Sequence, residues 1–315
     1  MKKITNNTKL GQLTMLLNAV VLVFFIISMV FLMKFDKTNR VVVNDRAEYE
    51  AAYEEFVTAQ HPLKQDSAEV AYYQYKLDTL QQQKPANKEA QKSLADNIKM
   101  TKETLAEKIK LQEEHTASVA DLQVSYDKVN AHWEEINATN DKAKSAFWVI
   151  AIITIVLFLL KTVVLATYGY RNSKNIHEAA GWMKNGMAPY VSYLSWFVPV
   201  YNLLKPLSFV KEVWEETDYI LEDKAIVAEN KAQKIDNSGL HLGIWWGLML
   251  ISVWLMNFIL YKTFFTEGPL FIKSNHGTIA IVAIIIMALC MLEEISLIRS
   301  YNKKNKMLVD NADKF

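Results

Sequence analysis

The feature that most constrains this chain is the charge-free run "LGQLTMLLNAVVLVFFIISMVFLM" at 10–33, together with three others of similar length and apolarity. They are "AFWVIAIITIVLFLLKTVVLATY" (146–168), "LHLGIWWGLMLISVWLMNFILY" (240–261) and "TIAIVAIIIMALCMLEEISLI" (278–298). Crossing a bilayer takes about 20 apolar residues in one helix, because in hydrocarbon every backbone N–H and C=O must be satisfied within the segment. An all-α integral membrane protein with four spans is therefore expected. Only 9 glycines and 6 prolines interrupt the sequence, and no alternating β pattern appears outside the four runs. The first run exceeds a signal-peptide core and no Ala-x-Ala-type site follows it, so it reads as a signal anchor. With a single cysteine, Cys290, the chain can close no disulfide on itself, and any part outside the membrane must hold by packing. Cys290 itself reads as a small apolar residue in span four.

Orientation follows the Lys and Arg of short flanks, which collect on the cytoplasmic side. Lys2, Lys3 and Lys9 precede the first run, and Arg299, Lys303, Lys304 and Lys306 follow the last. The connection between the third and fourth runs holds only Lys262 and Lys273. Both termini are thus expected in the cytoplasm. The expected order is a tail and span one (1–33), an extracytoplasmic segment (34–145), span two (146–170) and a cytoplasmic segment (171–239). Span three (240–262), a short outer loop (263–277), span four (278–299) and a cytoplasmic tail (300–315) complete it.

The segment 34–145 has one strong break, "QQQKPAN" at 81–87, where Pro85 cannot continue a helix interior. Two arms of similar length that both begin at the membrane predict an antiparallel helical hairpin, each arm reaching roughly 75 Å. Val70, Tyr73, Leu77 and Leu80 on one arm, and Leu94, Ile98, Leu105, Ile109, Val119, Leu122, Tyr126, Val129, Trp133 and Ile136 on the other, step as a coiled-coil seam. Between Ile109 and Val119 the apolar register slips, which predicts a stutter. "HPLKQD" (61–66) predicts a kink in the outgoing arm, with the two weak points facing one another. His115 and His132 lack a second ligand at metal-binding spacing and read as solvated residues.

The uncharged stretch 187–204 is long enough to suggest a fifth span, but a fifth span would invert the charge asymmetry. Tyr193, Trp196, Phe197, Val200, Leu203, Leu204, Leu207, Val210, Val213 and Trp214 recur at helical period as one stripe. Lys205 and Lys211 at its edges and the tryptophans suit an interface. Two short amphipathic helices, bent near Pro199 and Pro206 and lying in the inner leaflet, are expected. A re-entrant dip and a soluble helical pair stay open as alternatives.

Four polar residues fall inside the spans: Asn18, Lys161, Glu293 and Glu294. All sit on the cytoplasmic side of their span centres, at a common depth of roughly 6–10 Å from the midplane. Ionisable groups there are costly and seek partners, so Lys161 is expected to pair with Glu293 or Glu294. The pair reads as a staple between spans two and four; independent snorkelling and an ion or proton site are the alternatives.

The order "YGYRNSKNI", "GW", "WFVPVYNLLKPLSFVKEVWEET", "GIWWGLMLISVWL" resembles a bacterial membrane-protein family known as domain of unknown function 4328. Arg171, Asn172, Trp196, Pro199, Asn202, Pro206, Trp214, Trp245 and Trp246 fall on its pattern. The resemblance covers about residues 150–300, roughly half of the chain, and implies membrane residence and an architecture, but no activity. It also implies a bacterial cytoplasmic (inner) membrane, with the hairpin and first span as an addition.

No nucleophile elbow, Walker loop, dinucleotide fingerprint or His-Glu-x-x-His motif is present, so no catalytic residue, cofactor or metal is expected. The expected role is a non-enzymatic scaffold or adaptor. Its partners would be the lipid bilayer and a protein bound through the hairpin or the cytoplasmic belt, without nucleic acid; a homo-oligomer is compatible with the sequence. A sensor that needs a separate output protein, and a subunit of an oligomeric transporter or channel, are the alternatives.

Overall fold

A computed structural model of the chain describes residues 4–180, 188–198, 205–228, 238–265 and 276–315. Among these residues the fold is all-helical, with no strand. The helices are α1 (Thr8–Gln81), α2 (Lys88–Ala180), α3 (Pro189–Ser195), α4 (Lys205–Asp223), α5 (Ser238–Phe265) and α6 (His276–Asp310), with a 3₁₀ turn at Ala312–Lys314. Four of them, α1, α2, α5 and α6, contain stretches long and apolar enough to cross a membrane. The chain divides into two compact units, residues 38–141 and the remainder.

In the 38–141 unit, α1 ends at the break around Pro85 and α2 starts on an Asn87 cap, whose side chain accepts from the Ala90 N–H at 2.7 Å. Side-chain contacts link early residues of α1 to late residues of α2, and late to early. Thr38 donates to Asn140 (2.9 Å), Tyr49 stacks on Trp133 (5.0 Å), Phe56 stacks on Tyr126 (5.1 Å), and Lys108 pairs with Glu69 at 2.6 Å. Protected positions on α2 include Leu94, Ile98, Thr101, Leu105, Lys108, Gln112, His115, Val119, Leu122, Tyr126, Val129, Trp133, Ile136 and Asn140, which step by four and three, with Thr104, Leu111, Gln123, Asn130 and Asn137 half-buried beside them.

This corrects one expectation. The register does not stutter near 110–118. Ile109 is exposed, and the seam passes instead through Lys108, Gln112 and His115, which meet Glu69, Ser67 and Asp66 across from them. At "HPLKQD", where a kink is expected, α1 continues as one helix through Pro62, and the two segments do face one another, Asp66 and Ser67 meeting His115 and Gln112. Polar partners occupy the inward positions there, so apolar spacing alone could not trace the seam.

In the other unit, two buried clusters stack along the long helices. One joins Phe25, Met29, Leu32 and Phe147 to Ala283 and Met287. The second joins Leu165, Phe209, Val213, Trp214, Trp245 and Tyr301. Here α4 differs from the expected belt. Its apolar face, Phe209, Val213, Ile220 and Leu221, is buried in this core and not presented to a surface, while Leu207 and Val210 sit at its margin. Pro206 lies in the first turn of α4, where a missing N–H costs nothing, so it starts the helix and does not bend it. The expected bend at Pro199, with Asn202, lies outside the described residues. Beyond the fourth apolar run α6 continues to Asp310, with Tyr301, Lys304, Asn305 and Leu308 buried, where a tail was expected.

Candidate functional site

Glu294 is 1% exposed on α6 and collects donors from three other helices. Asn18 of α1 donates through Nδ2 to Oε1 at 3.0 Å. Lys161 of α2 places Nζ 2.7 Å from Oε2, and Trp245 of α5 donates its indole N–H to the same oxygen at 3.1 Å. Helical spacing explains the convergence: each residue sits on the inward face of its helix, at the depth where the four meet. Both charges are almost fully buried, with side-chain exposures of 3% and 2%. An unpaired ion at such a site would carry a desolvation cost of several kcal/mol, which the ion pair and two neutral donors offset.

Glu293, the neighbour, turns away. Its Oε2 lies 2.9 Å from His241 Nδ1, and both groups are partly exposed. Of the two carboxylates open to Lys161 in the sequence, the structure therefore selects Glu294. Cys290, one turn earlier, is buried beside the Trp245 carbonyl.

The tryptophans join this junction. Trp196, at the end of α3, sits 6.4 Å from Trp245 and 6.3 Å from Trp246, ring centre to ring centre. Trp214 packs against Tyr301 at 4.3 Å. Arg171 is exposed and stands apart, and Asn172 belongs to a second polar layer. There Asn7 donates to Asn172 (2.7 Å), Asn175 to Asn305 (2.9 Å) and Tyr168 to Asn302 (2.8 Å). Lys304, fully buried, pairs with Asp218 of α4 at 2.6 Å, and Thr217 shares a hydrogen bond with Tyr301 at 3.0 Å. Gly11 lets α1 approach α6: a Cβ there would stand 2.6 Å from the Asn302 amide.

Sequence reasoning missed this layer. Its signal was the spacing Asn172/Asn175 on one helix and Asn302/Asn305 on another, pairs three apart that share a face. The role of Trp245 as a donor was also missed, because a tryptophan in a span reads first as apolar bulk. Among the described residues no group of three or more His, Cys, Asp and Glu stands close enough to hold a metal.

Residues 136–303, just over half of the chain, match the family described as Domain of unknown function (DUF4328). The chain belongs to this family. Lys161, Glu294, Trp245, Trp196 and Trp214 lie within the DUF4328 region, whereas Asn18 of α1 and Lys304 lie beyond it. The junction is thus built mainly from residues within the DUF4328 match and completed by Asn18 of α1, outside it. No curated protein and no solved structure matches the chain.

Proposed function

We propose that this DUF4328 protein is a non-enzymatic membrane scaffold or adaptor of the bacterial cytoplasmic membrane. In this reading it crosses four times with both termini inside, and residues 38–141 project outside as an antiparallel coiled-coil hairpin. The observation that carries the proposal is the uninterrupted seam of that unit. Its inward positions interlock from Leu94 to Asn140, while Tyr72 and Tyr75 point outward, 59% and 72% exposed. Long, rigid helical arms with large exposed aromatics suit the presentation of a binding surface. The Glu294 junction fits the same reading, since its donors and its counter-ion all come from the protein and fasten four helices together.

Photo-crosslinking residues placed at 72 and 75 in living cells test this reading. They should trap a defined envelope protein, and a crosslinker at the seam position Leu105 should trap none. Equal, diffuse labelling from all three positions would contradict it. A transport subunit is the second reading, favoured only by ionisable groups in a span. It requires liposome flux that Glu294→Gln abolishes.

A further inference from the structure

One flank of the 38–141 unit holds a groove of about 330 Å³ that the seam does not fill. That volume lies within the range of small-molecule pockets, about 300–1,000 Å³. Both polar and apolar side-chain surface faces it.

Helical spacing builds its two walls. Asp45, Glu48 and Tyr49 stand at i, i+3 and i+4 on α1. On α2, Lys128 and His132 are four apart, as are Val129 and Trp133. Tyr49 stacks on Trp133 at 5.0 Å and joins the walls. Ser125 and Val129 complete the α2 wall with short side chains, which leave the space open.

The charges are sorted by wall. Both carboxylates, Asp45 and Glu48, come from α1, and both ionisable nitrogens, Lys128 and His132, come from α2. Opposite charges on the flank of a coiled coil ordinarily pair directly. Here Asp45 and His132 do so, at 3.3 Å. The side chains of Glu48 and Lys128 pair neither with each other nor with any other described residue. An exposed glutamate or lysine alone is an ordinary solvated side chain. The placement of both around one groove, with a stacked tyrosine and tryptophan between the walls, is what selects a ligand.

The arrangement has a chemical complement. An organic cation would satisfy Glu48 but meet Lys128 as a like charge, and an organic anion would do the reverse. A zwitterion satisfies both, and an aromatic body on it covers the Tyr49–Trp133 pair.

We propose that this groove binds a free amino acid with an aromatic side chain. The ammonium would meet Glu48, the carboxylate would meet Lys128, and the ring would lie against Tyr49 and Trp133. Contacts to both walls would brace α1 against α2 at this level. The inference goes beyond the scaffold reading, because it needs only the geometry within the 38–141 unit.

The test titrates the full chain in nanodiscs, by calorimetry, with L-phenylalanine and three analogues. Phenethylamine lacks the carboxylate, 3-phenylpropionate lacks the ammonium, and L-alanine lacks the ring. L-Phenylalanine should bind saturably, and each analogue about tenfold more weakly, the loss of one class of contact. Lys128→Gln and Glu48→Gln should each weaken L-phenylalanine about tenfold, whereas Lys102→Gln, exposed elsewhere on the same unit, should leave it unchanged. Hydrogen exchange over 45–49 and 125–133 should slow when L-phenylalanine is added. Absence of saturable binding at millimolar L-phenylalanine overturns the proposal. So does equal binding of phenethylamine or 3-phenylpropionate, which would mark a site for a simple cation or anion. Binding indifferent to both Lys128→Gln and Glu48→Gln overturns it as well, because the ligand would then sit elsewhere.

Discussion

At the residue scale the account rests on Glu294. Removing one partner of a buried pair leaves a bare charge, whereas removing both leaves only neutral groups to repack. Lys161→Met should therefore lower the stability of the detergent-solubilised protein by about 3–5 kcal/mol. Lys161→Met combined with Glu294→Gln should recover most of that loss, measured by thermal or denaturant unfolding. Equal losses in the single and double variants would show that the pair is not coupled. A swap of the two charges is a poorer test, because Asn18 and Trp245 would then aim donors at a lysine. This site was half legible from the sequence. A lysine and two glutamates at one depth announce a pair, because ions in a bilayer have few other ways to be satisfied. Which glutamate, and the part played by Trp245, depend on the rotation of α6 and α5 about their axes, and apolar runs on nearly every side do not encode that rotation.

At the element scale the seam of the 38–141 unit gives the sharpest contrast. Leu105 is 7% exposed and Ile109 is 38% exposed. Leu105→Ala should cost about 2–4 kcal/mol, and Ile109→Ala less than about 1 kcal/mol. Hydrogen exchange across 94–119 would check both, and the reverse order would restore the slipped register that apolar spacing suggests. The Lys108–Glu69 contact adds a pH signature. Its hydrogen bond with Lys108 holds the Glu69 carboxyl below its ordinary value, and the same bond holds the Lys108 ammonium above its own. The Glu69 contribution is present above the ordinary value of 4.5 and is lost as pH falls through the lowered one. The Lys108 contribution is present below the ordinary value of 10.5 and is lost as pH rises through the raised one. The difference between the natural chain and Glu69→Gln should accordingly stay flat at neutral pH and shrink toward both extremes. The two helical arms were legible because Pro85 is a single break between long periodic stretches. The seam's middle was not, because lysine, glutamine and histidine at inward positions carry no hydrophobic signal. The stripe that includes α4 recurs at helical period in the sequence, but a stripe does not say whether lipid or protein covers it, and Phe209, Val213, Ile220 and Leu221 are buried against protein.

At the scale of the whole molecule, the claim is a four-span protein that holds residues 38–141 outside the cytoplasm and α4 inside. Four long apolar helices are in place, and their orientation rests on the charges that flank them. Cysteine accessibility tests that orientation directly, because Cys290 is the only native thiol and is 2% exposed, which permits a quiet background in a Cys290→Ala chain. Tyr75→Cys and Lys211→Cys would be introduced one at a time and exposed to a membrane-impermeant maleimide in intact spheroplasts. The account predicts that Tyr75→Cys is labelled at once and that Lys211→Cys is labelled only after the membrane is opened. Labelling of Lys211→Cys from outside, with Tyr75→Cys protected, would contradict it.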